Sequence, residues 1–189
     1  MTEKPTALVL LAQGSEEIEA VISIDVLRRG GIVVTVAGVD GDEPVRCSRG
    51  VVIIPDVALE RVDGDFDIVV LPGGAEGAQR LAQSAKVGEI LRSQEQSGRW
   101  VGAICAAPIA LQAHGVFQHR QLTSHPSVKA VIEDWGEYSE HSVVADGNLI
   151  TSRGPGTAFA FALRIVGTLT DAQRMVHVRA PMMFPVQVS

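Results

Sequence analysis

Short, continuously apolar segments alternate along the chain with segments of helical periodicity, and this alternation is what most constrains the fold. Residues 7–12, 33–37, 67–71 and 100–104 are such segments. Runs of this length and composition are typical of strands buried on both faces of a parallel sheet. The helix-period stretches between them supply right-handed crossovers. The sequence therefore predicts a single α/β domain over residues 1–189, a doubly wound sandwich with helices on both faces of a mostly parallel sheet.

Capping residues, turn residues and apolar periodicity predict the individual helices and strands. Ser15 is the predicted N-cap of the first helix, whose apolar face is marked by Ile18, Val21, Ile22 and Val26. A small antiparallel hairpin is predicted on either side of Arg49-Gly50. Further predicted elements are a helix over 79–96, a helix over 107–114, strands at 122–124, 142–144 and 149–151, and an apolar helix over 156–168.

Composition excludes several classes of protein. The 189 residues suit one domain, and 16 Lys+Arg against 22 Asp+Glu give a net charge of −6 with neither sign clustered. This predicts no dedicated nucleic-acid site and no basic membrane patch. No targeting or membrane-spanning segment is visible, so the expected location is cytoplasmic. The two cysteines, Cys47 and Cys105, are too few for a disulfide framework and are interpreted as reduced thiols.

Cys105 lies between the end of a predicted buried strand and the start of a helix. This is the arrangement of a nucleophile elbow, in which small residues two positions away, here Ala103 and Ala107, avoid a clash. Unpaired N–H groups at a helix start favour a thiolate and can bind an oxyanion. The competing interpretation is a small buried hydrophobic residue. Cys47 has no such context and is interpreted as structural.

Three carboxylates follow the first strand, at the sheet edge where Cys105 is expected. Glu16, Glu17 and Glu19 all suit the N-terminal turns of a helix. A carboxyl group held beside a thiolate would have a raised pKa and could shuttle a proton. Sequence spacing does not decide which of the three points inward.

Two further segments reach the same edge. His125 follows the 122–124 strand and is a candidate general acid or base, although most histidines have no catalytic role. Gly73 and Gly74 end another strand and either let the backbone approach a substrate oxygen or simply make a tight turn. No metal site is predicted, since the two cysteines and the histidines lack ligand spacing.

Six separated motifs together resemble the ThiJ/PfpI superfamily, specifically its DJ-one branch, in order and approximate spacing. The motifs are Gly14-Ser15-Glu16-Glu17-Ile18-Glu19-Ala20, Cys47-Ser48-Arg49-Gly50-Val51, Leu71-Pro72-Gly73-Gly74, Ala103-Ile104-Cys105-Ala106-Ala107-Pro108, His125-Pro126 and Thr151-Ser152-Arg153-Gly154-Pro155-Gly156-Thr157.

The resemblance implies a flavodoxin-like homodimer. It makes Cys105 the nucleophile and oxidation-sensitive thiol, and Glu19 the protonated carboxyl group beside it. It implies an oxyanion site at the Gly74 and Ala106 amides, with Gly73 and His125 close by. Arg28, Arg29 and Arg49 match the region where family dimers bring basic groups near the site mouth, where they would bind anions or remain solvated.

The resemblance also implies a function. The expected activity is a cofactor-independent conversion of reactive 2-oxoaldehydes such as methylglyoxal, or of their early adducts, as in glyoxalases and deglycases. The alternative is an oxidative-stress sensor or redox-regulated holdase chaperone that uses the same thiol. Two residues depart from relatives: Ile54 stands where vertebrate members carry a further reactive cysteine, and Ala106 stands where the peptidase-like branch has histidine, so proteolysis is not expected.

Overall fold

A seven-stranded sheet forms the centre of the computed structural model, which describes residues 4–184. Strands are ordered β10-β11-β7-β6-β1-β2-β5, with every neighbouring pair parallel except β10 and β11. The strands of this sheet are β1 Thr6–Leu11, β2 Val33–Gly38, β5 Val57–Ala58, β6 Ile68–Leu71, β7 Trp100–Ile104, β10 Val143–Asp146 and β11 Leu149–Ser152. The predicted doubly wound, mostly parallel sandwich is confirmed. The single-domain prediction also covers residues 1–3 and 185–189, which lie outside the described range.

The continuous apolar run of β1 supplies two separate cores. Ala7, Val9 and Leu11 pack on one face of the sheet, whereas Leu8 and Leu10 pack on the other. Successive side chains of a strand point to opposite faces, so a strand covered by helices on both faces has no polar position.

Helices cover both faces of the sheet. Helices α1 (Glu17–Arg29), α6 (Ala158–Leu169) and α7 (Ala172–Arg179) contribute to the first core. Helices α3 (Ala85–Gln96) and α4 (Pro108–Ala113) contribute to the second, together with Leu81 of α2 (Ala75–Gln83). The short helix α5 is Lys129–Ile132. No helix within residues 4–184 has the length and apolar character needed to cross a membrane.

The predicted N-cap and half of the predicted apolar face of α1 are wrong, whereas Val26 is buried in the core and Ile22 packs against it as predicted. Glu16, not Ser15, is the N-cap, and its side chain accepts a hydrogen bond from the Glu19 N–H at 2.8 Å. Ile18 and Val21 are about half exposed, at 48% and 47%. The face turned to the protein instead carries Glu17, Glu19, Ala20, Ser23, Val26 and Leu27.

Several other elements differ from the sequence prediction. The helix expected over 79–96 is two helices, because Ser84 ends α2 and its hydroxyl caps α3 by accepting from the Val87 N–H. The strand at 122–124 shortens to β8 (Gln121–Leu122), which pairs with β9 (Glu137–Tyr138) outside the main sheet. The antiparallel hairpin is confirmed as β3 (Val45–Arg46) and β4 (Val52–Ile53).

The topology determines where a ligand can bind. From β1 the chain moves to β2 on one side of the sheet, and later to β6 and β7 on the other. Ligands of open α/β sheets bind at the carboxyl ends of strands beside such a reversal. The segments after β1, β6 and β7 therefore form the candidate site.

Candidate active site

Cys105 occupies a sharp turn between β7 and α4. Its φ of 63° lies in the left-handed region, which is unfavourable by about 1–2 kcal/mol for a residue with a side chain. Both of its backbone groups are held: the N–H donates to the Ser152 carbonyl at 2.9 Å, and the carbonyl accepts from the His125 N–H at 2.8 Å. The surrounding strands thus maintain a backbone conformation that turns the thiol toward a cavity.

Glu19 is the carboxyl group beside this thiol. It is fully buried in the first turn of α1, and its Oε2 accepts a hydrogen bond from the Gly73 N–H at 2.7 Å. The carboxyl group lies beside the Cys105 side chain: a Cβ added to Gly73 would be 2.6 Å from the Cys105 Cβ and 2.8 Å from Glu19 Oε2. Its Oε1 is buried and has no hydrogen-bond partner among the described residues.

The three carboxylates that sequence spacing left equivalent have different environments. Glu16 caps α1, while Glu17 points to the hairpin and accepts hydrogen bonds from the Ser48 hydroxyl and the Arg49 N–H, both at 2.8 Å. Glu19 alone of the three contacts Cys105. Because successive residues at the start of a helix are rotated by about 100° around its axis, each of the three side chains points to another target.

The protonation of Glu19 and Cys105 is coupled. Burial raises the pKa of Glu19 to about 7, although the hydrogen bond from Gly73 opposes this, and the charge of Glu16 adds to the increase. Burial and the charge of Glu19 raise the pKa of Cys105 to about 12, while N–H groups of Gly74 and Ala106 lower it. The backbone N–H groups thus act in the direction expected from the sequence, but burial outweighs them. Protonation of Glu19 removes the charge that disfavours the thiolate.

Gly74, which follows β6, packs against the segment after β1 so closely that no side chain fits between them. A side chain on Gly74 would meet the Gly14 carbonyl oxygen at 2.3 Å, and its φ of 88° is itself unfavourable for other residues. The N–H groups of Gly74 and Ala106 lie near enough to the Cys105 sulfur to lower the pKa of the thiol. Donors at this place are available to an oxyanion formed beside the sulfur.

Substitution of Gly73 by alanine is expected to lower stability by about 1–3 kcal/mol, because the site has no room for a methyl group. A Cβ would lie 2.6 Å from the Cys105 Cβ and 2.8 Å from Glu19 Oε2. Denaturant unfolding measures the effect. The control is Gly156→Ala, where nothing lies within 4 Å of the added carbon. Equal stability of the two variants would contradict this packing argument.

A cavity of about 330 Å³ opens above the thiol. Its charged and titratable lining residues besides Cys105 are Glu16, Arg49 and His125. The His125 Nδ1 accepts a hydrogen bond from the Ser127 N–H at 3.2 Å, which leaves the proton of a neutral ring on Nε2. His125 is exposed at the rim, so it can exchange protons with water or a ligand.

Arg29 does not line the cavity of its own chain. It lies at the last residue of α1, whereas Glu16 of the cavity precedes the first, and 13 helical residues span about 20 Å. Arg29 pairs with Asp25 at 2.6 Å, and Arg28 pairs with Asp56 at 3.4 Å. Arg49 is therefore the candidate anion-binding arginine that lines the cavity of its own chain.

Sequence reasoning missed the residues that support the site. Ser152 holds the Cys105 backbone, Ser127 orients His125, and Glu17 fixes the hairpin. Ser152 acts through its carbonyl on a residue 47 positions away and Glu17 acts on a turn more than 30 positions away, so no local pattern marks them. Ser127 is only two residues from His125, a local signal that could have identified it. Within residues 4–184, no group of three or more His, Cys, Asp or Glu side chains is arranged to hold a metal ion.

Cys47 differs from Cys105 in its surroundings. It is also a free thiol, but it lies in the hairpin segment with an exposure of only 4%. Burial and the charges of Glu17 and Glu16 raise its pKa to about 11. A reactive thiol needs an accessible thiolate, which this environment disfavours.

Comparison with known proteins agrees with this geometry. Residues 5–168 match the sequence profile of the DJ-1/PfpI family. The chain belongs to this family. The resemblance seen in the sequence motifs is thereby confirmed.

Individual relatives cover nearly the whole chain. The "Parkinson disease protein 7 homolog" of Danio rerio is 52% identical over 180 residues, covering 93% of this chain and 95% of that protein. The "Glutathione-independent glyoxalase DJR-1.2" of Caenorhabditis elegans is 44% identical over 185 residues, 96% of this chain and 98% of its own. The crystal structure of Drosophila melanogaster DJ-1beta superimposes with a TM-score of 0.95 at 48% identity, covering 97% of this chain and all of that one.

Proposed function

We propose that this DJ-1/PfpI protein is a cofactor-independent, cysteine-dependent enzyme that converts reactive 2-oxoaldehydes such as methylglyoxal to 2-hydroxy acids. The observation that carries the proposal is the pairing of Cys105 with the buried carboxyl group of Glu19 beneath a cavity. The relative from Caenorhabditis elegans named as a glutathione-independent glyoxalase supports it.

The first step is addition of the thiolate to the aldehyde. Proton transfer from Cys105 to Glu19 produces the nucleophile, and sulfur attacks the aldehyde carbon to form a hemithioacetal. The carbonyl electron pair moves to oxygen, where the N–H groups of Gly74 and Ala106 bind the negative charge. Protonated Glu19 then neutralises this oxygen.

The following steps move a proton between the two carbons. Ionised Glu19 removes the proton from the former aldehyde carbon to give an enediolate. The hydroxyl proton of the former aldehyde oxygen passes to the ketone oxygen, and return of a proton from Glu19 to the neighbouring carbon gives a thioester of the 2-hydroxy acid. Water hydrolyses the thioester and restores the thiol. His125 at the rim, with Nδ1 held by Ser127 and its proton on Nε2, is the proposed hydrogen-bond donor to the thioester oxygen during this step. Overall, one oxoaldehyde and one water give one 2-hydroxy acid.

Turnover without glutathione is the direct test. Purified protein mixed with methylglyoxal should form lactate at a rate proportional to enzyme concentration, measured by an enantiomer-specific lactate assay. Absence of lactate formation would reject the proposal. Deglycase-type activity on protein or nucleotide adducts belongs to the same proposal, and loss of a pre-formed adduct faster than its spontaneous dissociation would support direct attack.

The same thiol favours a second candidate function, oxidative-stress sensing or redox-regulated holdase activity. Cys105 borders a cavity, and protonated Glu19 can donate a hydrogen bond to a sulfinate formed at its sulfur. Peroxide treatment followed by intact mass should show two added oxygen atoms in the wild type and none in Cys105→Ala. Chaperone activity that appears only after this oxidation would favour the sensor.

A homodimer and a cytoplasmic location complete the proposal. Free thiols at Cys47 and Cys105 support a reducing compartment. An exposed apolar patch supports pairing with a second copy, since α1 and the hairpin are joined by Glu17 and both expose aliphatic side chains. The patch consists of Ile18, Val21, Val51, Val52 and Ile54.

Substitution of Val21 by aspartate is expected to convert a dimer to a monomer, because it places a charge within the apolar patch. Light scattering should give about twice 20.0 kDa for the wild type and 20.0 kDa for the variant. The matched control is Val131→Asp on α5, where the exposure is also 47%. A monomeric wild type, or dissociation of both variants alike, would contradict the proposed interface.

A further inference from the structure

Glu17 is a buried carboxyl group that the proposed reaction does not use. Its exposure is 7%, yet it has several hydrogen-bond donors from a segment more than 30 positions away. Oε2 accepts from the Ser48 hydroxyl at 2.8 Å, and Oε1 accepts from the N–H groups of Arg49 at 2.8 Å and Val51 at 3.4 Å. Donors of this number hold an ionised carboxylate firmly in place.

The segment that Glu17 holds is the tight turn of the hairpin. The Gly50 N–H donates to the Cys47 carbonyl at 3.0 Å, and Gly50 has a φ of 91°, which favours glycine. The Ser48 N–H donates to the Ser15 carbonyl at 2.8 Å, next to the start of α1. Ser48 and Arg49 of this turn line the cavity above Cys105.

Glu17 remains ionised at neutral pH. Burial raises the pKa of its carboxyl group, but hydrogen bonding to its own backbone N–H and to Ser48, Arg49 and Val51 together exceeds this effect and leaves the pKa below its usual range. Glu17 and Glu19, two positions apart in one helix, therefore have pKa values shifted in opposite directions, because one has several donors and the other has few.

We propose that Glu17 is a positioning residue that places Arg49 to bind the carboxylate of a small 2-hydroxy acid in the cavity. The inference rests on the proposed function, in which a neutral oxoaldehyde becomes an anion at this place. Arg49 is the basic residue of the lining, and its guanidinium Nη1 donates to the Ser48 carbonyl at 3.2 Å within the same turn; Glu16 and His125 are the other charged or titratable lining residues besides Cys105. Glu17 contacts the turn at the Ser48 hydroxyl and at the N–H groups of Arg49 and Val51, not at the guanidinium, so its effect on ligand binding should depend on Arg49.

Protection of Cys105 from alkylation tests this arrangement without any turnover. All proteins carry Cys47→Ser, so that Cys105 is the one remaining thiol, and the alkylation rate with iodoacetamide is measured at increasing lactate concentration. Lactamide, which has the same shape but no charge, is the matched ligand. The variants are Glu17→Gln, Arg49→Ala and their combination, with Glu60→Gln as the control at an exposed carboxylate.

Lactate should protect the parent protein at lower concentration than lactamide. Glu17→Gln and Arg49→Ala should each weaken protection by lactate about fivefold, the size expected for a partly exposed ion pair, and leave lactamide unchanged. The double variant should be no weaker than Arg49→Ala. Glu60→Gln should match the parent.

Other outcomes overturn the inference. Equal protection by lactate and lactamide would show that the carboxylate charge of lactate does not contribute to its binding. If the losses of lactate protection add in the double variant, Glu17 does not act through Arg49. If a variant loses protection by lactate and by lactamide to the same degree, the substitution has changed the cavity as a whole. Ser48→Ala, which removes one donor but keeps the backbone hydrogen bonds, should have a smaller effect on lactate than Glu17→Gln. An inactive enzyme that still shows the predicted pattern would reject the proposed function alone.

Discussion

Replacement of Cys105 by serine is expected to lower kcat/KM for methylglyoxal by about 10⁴-fold, because a hydroxyl is a much weaker nucleophile at neutral pH than a thiol that can pass its proton to Glu19. The N–H groups of Gly74 and Ala106 remain in the variant, so the loss reports on the nucleophile. Initial rates of lactate formation over a range of methylglyoxal concentrations provide the measurement.

The second cysteine provides the matched control. Cys47→Ser makes the same chemical change at a buried thiol in the hairpin segment and should leave kcat/KM within about twofold of the wild type. Unfolding curves for both variants separate a catalytic loss from a folding defect. Substantial residual activity in Cys105→Ser would mean that lactate forms without covalent attachment at this position.

The site could be predicted to the extent that local backbone geometry determines it. Residues 100–104 are a recognisable buried strand and Pro108 suits the start of a helix, so the turn at Cys105 follows from the sequence. The convergence of the segments after β1, β6 and β7 follows from the parallel sheet alone. Roles for these residues came from the family resemblance and stay proposals.

The inward-pointing carboxylate could not be chosen from spacing. Glu16, Glu17 and Glu19 differ in their targets, which are a helix N-terminus, a distant turn and the thiol. Selection among them depends on side-chain packing that a single sequence does not show.

The exposure of Ile18 and Val21, which the apolar pattern predicts to be buried, has a related physical cause. A hydrophobicity pattern does not distinguish burial within a chain from burial between chains. Ile18 and Val21 are apolar yet half exposed, whereas Glu19 and Ser23 are buried beside Val26. A helix that serves both an active site and a proposed interface therefore has some polar residues inward and some apolar residues outward.

Replacement of Glu19 by glutamine is expected to reduce kcat for methylglyoxal by about 10²–10⁴-fold, the usual contribution of a general acid–base group. Glutamine keeps the shape and can still accept from the Gly73 N–H, but it cannot take the thiol proton or move protons between carbons. Glu60→Gln, at an exposed carboxylate, should retain full activity. An activity loss confined to KM would argue against proton transfer by Glu19.

The same variant should change how stability depends on pH. Burial raises the pKa of Glu19 from an ordinary 4.5 to about 7 in the folded state, so between these values the folded chain keeps a proton that the unfolded chain has lost. The free energy of unfolding should therefore fall as pH rises through this window, by about 3 kcal/mol, and level off above pH 7. Glu19→Gln lacks the ionisable group, so the difference between wild type and variant should follow this fall, with the variant gaining relative stability at higher pH. The raised pKa of Cys105 contributes only above its ordinary value of 9.0, outside the window. Urea unfolding at pH 4.5, 5.5, 6.5 and 7.5 measures the difference, and a constant value across these four conditions would show that Glu19 ionises normally in the folded protein.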